Sequence, residues 1–340
     1  MAGVSRLTPG TLSVGRYGLA ATHVGNYALF AGGYTSTNNY DKDTVDAYNT
    51  SLTRSTPTVL QRARSYLAAT HVGNYALFAG GGTTTTNAVD AYNTSLTRST
   101  PTGLSSELYD NEGTHVGNYA LFGGGYTGGS VISSVEAYDT SLTKSYASNG
   151  LTQGRRQLAA THVGNYALFA GGCDKRGNAL NTVDAYDTSL TRSTPTSLNQ
   201  VRTNLAASHV GNYALFGGGS SGSTKYNTVD AYDTSLTRST PTTLNTARTE
   251  LAATHINNIA LFGGGTVAGG STVDMYNTSL TRSLAPDLST ASYNFAATHI
   301  SDYALFGGGY SSGSTDTVSI YKSIPYTIQK VIKIIIPIFD

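Results

Sequence analysis

Apolar and polar positions along this chain recur in one fixed order, best seen at residues 67–81: Leu-Ala-Ala-Thr-His-Val, then Gly-Asn, then Tyr-Ala-Leu-Phe-Ala, then a glycine pair. Gly73-Asn74 between two short runs is the signal of a tight hairpin. Small residues in the first run suit an innermost strand, where neighbours crowd. A second run apolar on both faces of its pleat predicts a strand sandwiched between two sheets. After a variable stretch, residues 88–92, Ala-Val-Asp-Ala-Tyr, predict a third strand. Asn93 follows, replaced by Asp139, Asp187 or Asp233 in later copies, and the shared side-chain oxygen can cap a turn. Residues 53–60 are polar and contain Pro57, which cannot donate to a ladder, so they are expected at a sheet edge as the outer strand.

A histidine marks each copy: His23, His71, His115, His162, His209, His255 and His299, spaced by 48, 44, 47, 47, 46 and 44 residues. Seven copies with a period of about 46 residues mean repeated structural units. Four antiparallel strands per unit, small residues at one end of the sheet and a proline-bearing edge at the other, describe the blade of a β-propeller. The expected fold is all-β, a seven-bladed β-propeller of four-stranded antiparallel blades over residues 1–322. The last copy ends after Tyr321 without an outer strand. The segment 5–12 resembles one, with Arg6 lying 17 residues before His23 as Arg54 lies 17 before His71. An N-terminal outer strand should therefore close the ring.

Tyr-Ala-Leu-Phe-Ala-Gly-Gly, then Val-Asp-Ala-Tyr, then an arginine just before the next inner strand, resembles the kelch repeat over essentially residues 4 to 322. Kelch repeats usually carry a tryptophan in the outer strand. This chain has none and places proline and leucine there, so it resembles a divergent, Trp-less kelch type. Residues 323–340 differ sharply, an isoleucine-rich tail too interrupted by lysine and proline to span a membrane as a helix. The tail is expected to pack against the ring or to dock another subunit.

With 39 Gly, 24 Tyr and no Trp, the chain is built for many short strands and tight turns. Its 21 basic and 20 acidic residues leave a formal net charge of +1, no general reason to bind nucleic acid or an anionic membrane. Cys173 is the only cysteine, which excludes an intrachain disulfide and a cysteine-rich metal site. The first nine residues hold no apolar run of signal-peptide length, so export by the usual route is not expected from this stretch. Cytoplasmic and virion- or surface-associated settings stay open.

The seven histidines invite a metal-ring reading, but residues repeated at this depth more often satisfy hydrogen bonds between blades. Third-strand acids Asp46, Asp90, Glu136, Asp184, Asp230 and Asp274 are expected to partner the histidines or outer-strand bases such as Arg54. The glycine runs precede strands rather than helices, so they are not phosphate loops, and no G-x-S-x-G elbow occurs in a strand-to-helix setting. Galactose oxidase shares the kelch-type propeller, but Cys173 lacks the context of its cysteine–tyrosine copper site. Neither an enzyme nor a cofactor is expected. Asn49, Asn93 and Asn277 form glycosylation sequons that turn capping already explains.

Differences between the copies fall in two loops per blade, the one entering the inner strand and the one after the glycines. Both lie at the same end of an antiparallel blade, so one face is uniform and the other diversified. Loops on a rigid scaffold carry binding residues, and Tyr, Ser, Gly, Asn and Arg suit adaptable surfaces. The candidate ligand-binding residues are Arg16, Tyr17, Arg64, Tyr66, Tyr109, Arg155, Arg156, Arg202, Asn204, Arg248, Glu250 and Tyr293. The kelch resemblance implies that Arg16, Arg64, Arg155, Arg202 and Arg248 line a central pocket and meet acidic or polar ligands. Structural arginines bridging adjacent blades are an equal contender, and Leu108 and Ser292 break the pattern. The expected function is non-enzymatic recognition of a protein or glycan on the variable face, as in bacterial or phage adhesion. An intracellular adaptor for an acidic peptide and a sugar-modifying enzyme are the alternatives.

Overall fold

The structure is a computed structural model that describes residues 3–37, 40–266 and 270–324. Seven four-stranded antiparallel sheets form the seven blades of a β-propeller, without helix among the described residues. In blade 1 the strands run Ala20–Val24, Tyr27–Ala31, Val45–Asn49 and Arg54–Ser55 from the axis outward. The inner strands of blades 2 to 7 are Ala68–Val72, Glu112–Val116, Ala159–Val163, Ala206–Val210, Ala252–Ile256 and Ala296–Ile300.

Blade 7 is closed by the N-terminal strand Gly3–Arg6, which pairs antiparallel with Thr317–Ile324 so that Arg6 faces Tyr321 as Arg54 faces Tyr48. Ser323 and Ile324 belong to this pairing, opposite Val4 and Gly3, so the sheet extends two residues into the segment assigned to the tail from sequence. The rest of the tail, 325–340, lies outside the described residues.

The outer strands are shorter than expected. Arg54–Ser55, Arg98–Ser99, Arg192–Ser193 and Arg238–Ser239 have two residues each. In each, proline follows the arginine by three positions (Pro57, Pro101, Pro195, Pro241), where its missing N–H ends the ladder. Blades 3 and 6 have Ala147 and Ala285 there, and their outer strands lengthen to Lys144–Tyr146 and Arg282–Ala285.

No single core fills the ring. Each cluster of buried side chains straddles two blades, as where Leu29, Ala31, Val45 and Ala47 of blade 1 meet Ala76, Phe78 and Tyr92 of blade 2. Each large apolar side chain so buried contributes about 1.5–3 kcal/mol. Third-strand tyrosines latch neighbouring blades: Tyr48 Oη donates to the Thr11 carbonyl at 2.6 Å, and Tyr92, Tyr138, Tyr186, Tyr232, Tyr276 and Tyr321 do the same to the preceding outer segment at 2.7–3.1 Å. The glycine pair has a steric reason. Gly32 sits at φ +68°, and a Cβ there would fall 2.5 Å from the Arg64 carbonyl oxygen of the next blade's entry loop.

The uniform face is made of hairpins and capped turns. Asn49 Oδ1 accepts from the Ser51 and Thr53 amides at 3.0 and 2.9 Å, and Asn93, Asp139, Asp187, Asp233 and Asn277 repeat the cap.

Candidate ligand-binding face and central channel

Each entry loop delivers three consecutive residues with different fates. The first is the arginine of blades 1, 2, 4, 5 and 6. Arg16, Arg64, Arg155, Arg202 and Arg248 are all 0% exposed. The guanidinium of Arg16 lies 2.7 Å from Asp46 and donates to the Phe30 carbonyl at 3.2 Å. Arg64 meets Asp90 at 2.7 Å, Arg155 meets Asp184 at 2.8 Å, Arg248 meets Asp274 at 2.6 Å, and Arg202 pairs with Asp230. The same carboxylates face an outer-strand base, Arg54 on Asp46 at 2.8 Å and Arg282 on Asp274 at 3.0 Å. Each also accepts an amide from the entering loop, such as Ser13 N at 3.0 Å on Asp46. Burial lowers the arginine pKa values and the carboxylates oppose the shift.

This corrects the expectation of an arginine rim. The five arginines are structural and offer no surface, and they tie the entry loop to the blade that follows it rather than to a neighbouring blade. A guanidinium taken out of water has to be paired, and the third strand of the same blade supplies the carboxylate.

The second residue pairs edge to edge with the loop after the glycines: Tyr17 with Tyr34, Tyr109 with Tyr126, Arg156 with Cys173, Thr203 with Ser220 and Tyr293 with Tyr310. Here aromatic rings gather. Tyr17 packs edge-on against Tyr34 at 5.5 Å and Tyr310 at 5.3 Å, and Tyr310 packs on Tyr293 at 5.6 Å. Tyr109 meets Tyr126 at 5.7 Å, and Arg156 lies over the Tyr126 ring while its guanidinium stands 3.6 Å from Asp110.

The third residue lines the mouth of the central channel: Gly18, Tyr66, Asp110, Gln157, Asn204, Glu250 and Asn294. All seven have positive φ, between 51° and 60°. Their backbones form a closed ring of hydrogen bonds, each N–H donating to the carbonyl of the equivalent residue in the preceding blade. Tyr66 N to Gly18 O is 2.7 Å, and Gly18 N to Asn294 O, 2.8 Å, completes the circle. The mouth encloses about 180 Å³. Burial raises Asp110 to about 6 against the pull of Arg156, raises Glu250 and raises Tyr66 to about 12.

Of the sequence candidates, Tyr66, Asn204 and Glu250 thus stand at the mouth and Tyr17, Tyr109, Arg156 and Tyr293 in the surrounding ring, while the five arginines lie beneath both. Asp110, Gln157 and Asn294, which share the mouth, were not among the candidates read from the sequence. Their constant offset from the inner strand was the available signal.

Below the mouth the channel is lined by a belt of alanines, interrupted in blade 3 by Glu112, around a cavity of about 260 Å³. Glu112 stands where the other blades have Ala20, Ala68, Ala159, Ala206, Ala252 and Ala296. Burial pushes its pKa up to about 8. Next comes the histidine ring. The seven imidazoles do not bridge blades by hydrogen bonds, as expected from sequence, nor do the third-strand acids reach them. They stack on one another in a closed circle, centroids 3.8–4.3 Å apart and planes tilted by 47–52°. Among the described residues no group of three or more His, Cys, Asp or Glu is placed to hold a metal ion, and no helix is long and apolar enough to cross a membrane.

These features define a seven-bladed β-propeller with one variable face around the channel mouth. No protein-family model matches the chain, and no curated protein matches it. Among solved structures it is similar to the one described as "Structure of YjhT", with a TM-score of 0.64 at 13% identity over 81% of this chain and 99% of that one. At that identity the likeness carries the fold alone.

Proposed function

We propose that this chain is a recognition module, not an enzyme, built from divergent kelch-type repeats, and that it binds a glycan at the channel mouth and the tyrosine-rich loops around it. The observation that carries this reading is the left-handed backbone at the mouth. A non-glycine residue in that conformation costs roughly 1–2 kcal/mol, and blade 1 shows that Gly18 serves there. Six blades nevertheless keep six larger side chains at these positions. Leucine holds the same conformation in the uniform turns (Leu52, Leu96, Leu142, Leu190, Leu236 and Leu280), but there one residue repeats, whereas at the mouth the left-handed residue changes from blade to blade. Amides and carboxylates (Asn204, Asn294, Gln157, Asp110, Glu250) suit sugar hydroxyls, and Tyr17, Tyr66, Tyr109 and Tyr293 supply aromatic faces for the apolar side of a sugar ring.

Copies so alike, differing chiefly on one face, suit adhesion or receptor binding at a bacterial or phage surface. A protein ligand on the same face is the second reading, favoured by the exposure of Tyr66, 38%. The acidic-peptide alternative loses its support, since the arginines it needed are buried and the mouth carries Asp110 and Glu250.

A glycan and peptide array probed with wild type and with the Tyr66→Ala/Asn204→Ala/Glu250→Ala variant tests the reading. A glycan signal that falls at least tenfold in the folded variant is expected. A signal unchanged in that variant, or none on the glycan array, sinks it.

A further inference from the structure

The histidine ring stands apart from the variable face, at the far end of the channel, and the proposed glycan site does not use it. Its geometry is unusually well determined by symmetry. A seven-fold ring turns by about 51° per unit, and the imidazole planes turn by 47–52° between neighbours. The planes therefore run along the axis. With centroids only 3.8–4.3 Å apart, flat rings facing the axis would overlap edge to edge. The imidazoles must stand like vanes, faces stacked on one another and edges turned inward.

A heptagon of that side length puts the centroids about 4.7 Å from the axis, so even a nitrogen pointing straight inward stands more than 3 Å away, against the 2.0–2.1 Å of a zinc–imidazole bond. The ring is too wide for a metal ion on its axis. A tetrahedral oxyanion, with oxygens roughly 1.5 Å from its centre and N–H···O distances of about 2.9 Å, sits roughly 3.9 Å from each nitrogen when the hydrogen bond meets the oxygen at the bent angle of a lone pair, so it fits where a metal ion does not. None of the seven imidazoles hydrogen-bonds another protein group among the described residues. At least one N–H per ring is thus without a protein acceptor around a cavity of about 160 Å³.

We propose that the histidine ring is a binding site for one tetrahedral oxyanion of the sulfate or phosphate class, held on the channel axis by several imidazole N–H donors and bound more tightly as the pH falls. Acid acts in one direction on every group that faces the site. Each imidazole that gains a proton becomes a donor at both nitrogens, a step that burial and then the neighbouring imidazoles resist, holding His23 and His209 down to about 4, His71 and His162 to about 3 and the other three lower still, so that an anion on the axis is what favours the proton. Glu112, the charged residue of the alanine belt above, is neutral below about 8 and so does not repel an anion in acid. Thr22 and its counterparts, which alternate with the channel-facing residues on the inner strands, are uncharged.

The test is calorimetric titration of the full chain with sodium sulfate, with glucose 6-sulfate and with sodium chloride at matched ionic strength, at pH 5.5 and pH 8.0. One sulfate per chain is expected, at least tenfold tighter at pH 5.5. Binding of glucose 6-sulfate as well shows that the ring accepts an oxyanion at the end of a larger ligand, and its failure to bind restricts the site to the free ion. The folded His115→Gln/His255→Gln variant should weaken binding at least tenfold. In wild type, sulfate should raise the histidine titration midpoints read by NMR at the ring C–H, which decides the matter if the variant does not fold. Sulfate no different from chloride, undiminished binding in the folded variant, or midpoints unmoved by sulfate overturns the proposal.

Discussion

Blades 1, 2, 4, 5 and 6 carry a buried arginine–aspartate pair, and blades 3 and 7 do not. Where the five have Arg and Asp, blade 3 has Leu108 and Glu136 and blade 7 has Ser292 and Ser319. Both odd blades solve the same local problem by other means. The amide of the entering loop finds its acceptor in every case: Ser105 N on Glu136 at 2.9 Å, Ser289 N on the Ser319 hydroxyl at 2.9 Å, and Asn245 N on Asp274 at 2.9 Å in an arginine blade. What changes is the filling. In blades 3 and 7 a cavity of about 10 Å³ lies beside Leu108 and Ser292. The amide contact is therefore the obligatory part of the blade, and the ion pair is one of several ways to occupy the space around it.

The comparison breaks most severely if an ion pair is halved. Asp274→Ala leaves Arg248 buried without a counter-charge and should cost about 3–5 kcal/mol in denaturant-induced unfolding, whereas Arg248→Leu with Asp274→Ser, a blend of the blade 3 and blade 7 solutions, should cost much less. A double variant as damaging as the single one would show that the pair is indispensable.

A smaller effect separates blade 3 from the rest at Glu112. Its pKa is raised in the folded chain, so the native state holds a proton that the unfolded chain has released, and stability is lost as the pH rises from the ordinary carboxylate range through about 8. Glu112→Ala, copying the other six blades, should therefore stabilise by on the order of 2 kcal/mol at pH 9 and leave pH 4 nearly unchanged. Equal melting shifts at both pH values would contradict a buried carboxylate. Smallest of all, Ser319→Ala removes the acceptor of Ser289 N and should cost about 1 kcal/mol. A silent substitution, read by the same unfolding curves, would mean that water replaces the hydroxyl.

Much of the ring was legible in the chain because nearly every repeat states its blade in full: a Gly-Asn hairpin in five copies, the apolar second strand, a capping Asn or Asp in six, and the Arg6 offset that closes the circle. The outer strands were read too long because a polar run around Pro57 has no apolar alternation to mark its end. The fate of the arginines was harder to read, since Arg16 and Asp46 lie thirty residues apart and a guanidinium beside a variable loop looks the same from sequence whether it faces in or out. One internal sign pointed to the answer: arginine occurs only in those copies whose third strand carries Asp. The histidines misled differently. Their regular placement suggested hydrogen bonds between blades, but at the centre of a ring the nearest neighbour of each copy is another copy of itself.

The circle of amide-to-carbonyl bonds at the mouth belongs to the backbone, so closure of the propeller there does not depend on which side chains hang from it. Seven positions are thereby released from structural duty and brought together around one opening, and the scaffold can acquire a new partner by rewriting seven letters without renegotiating its architecture.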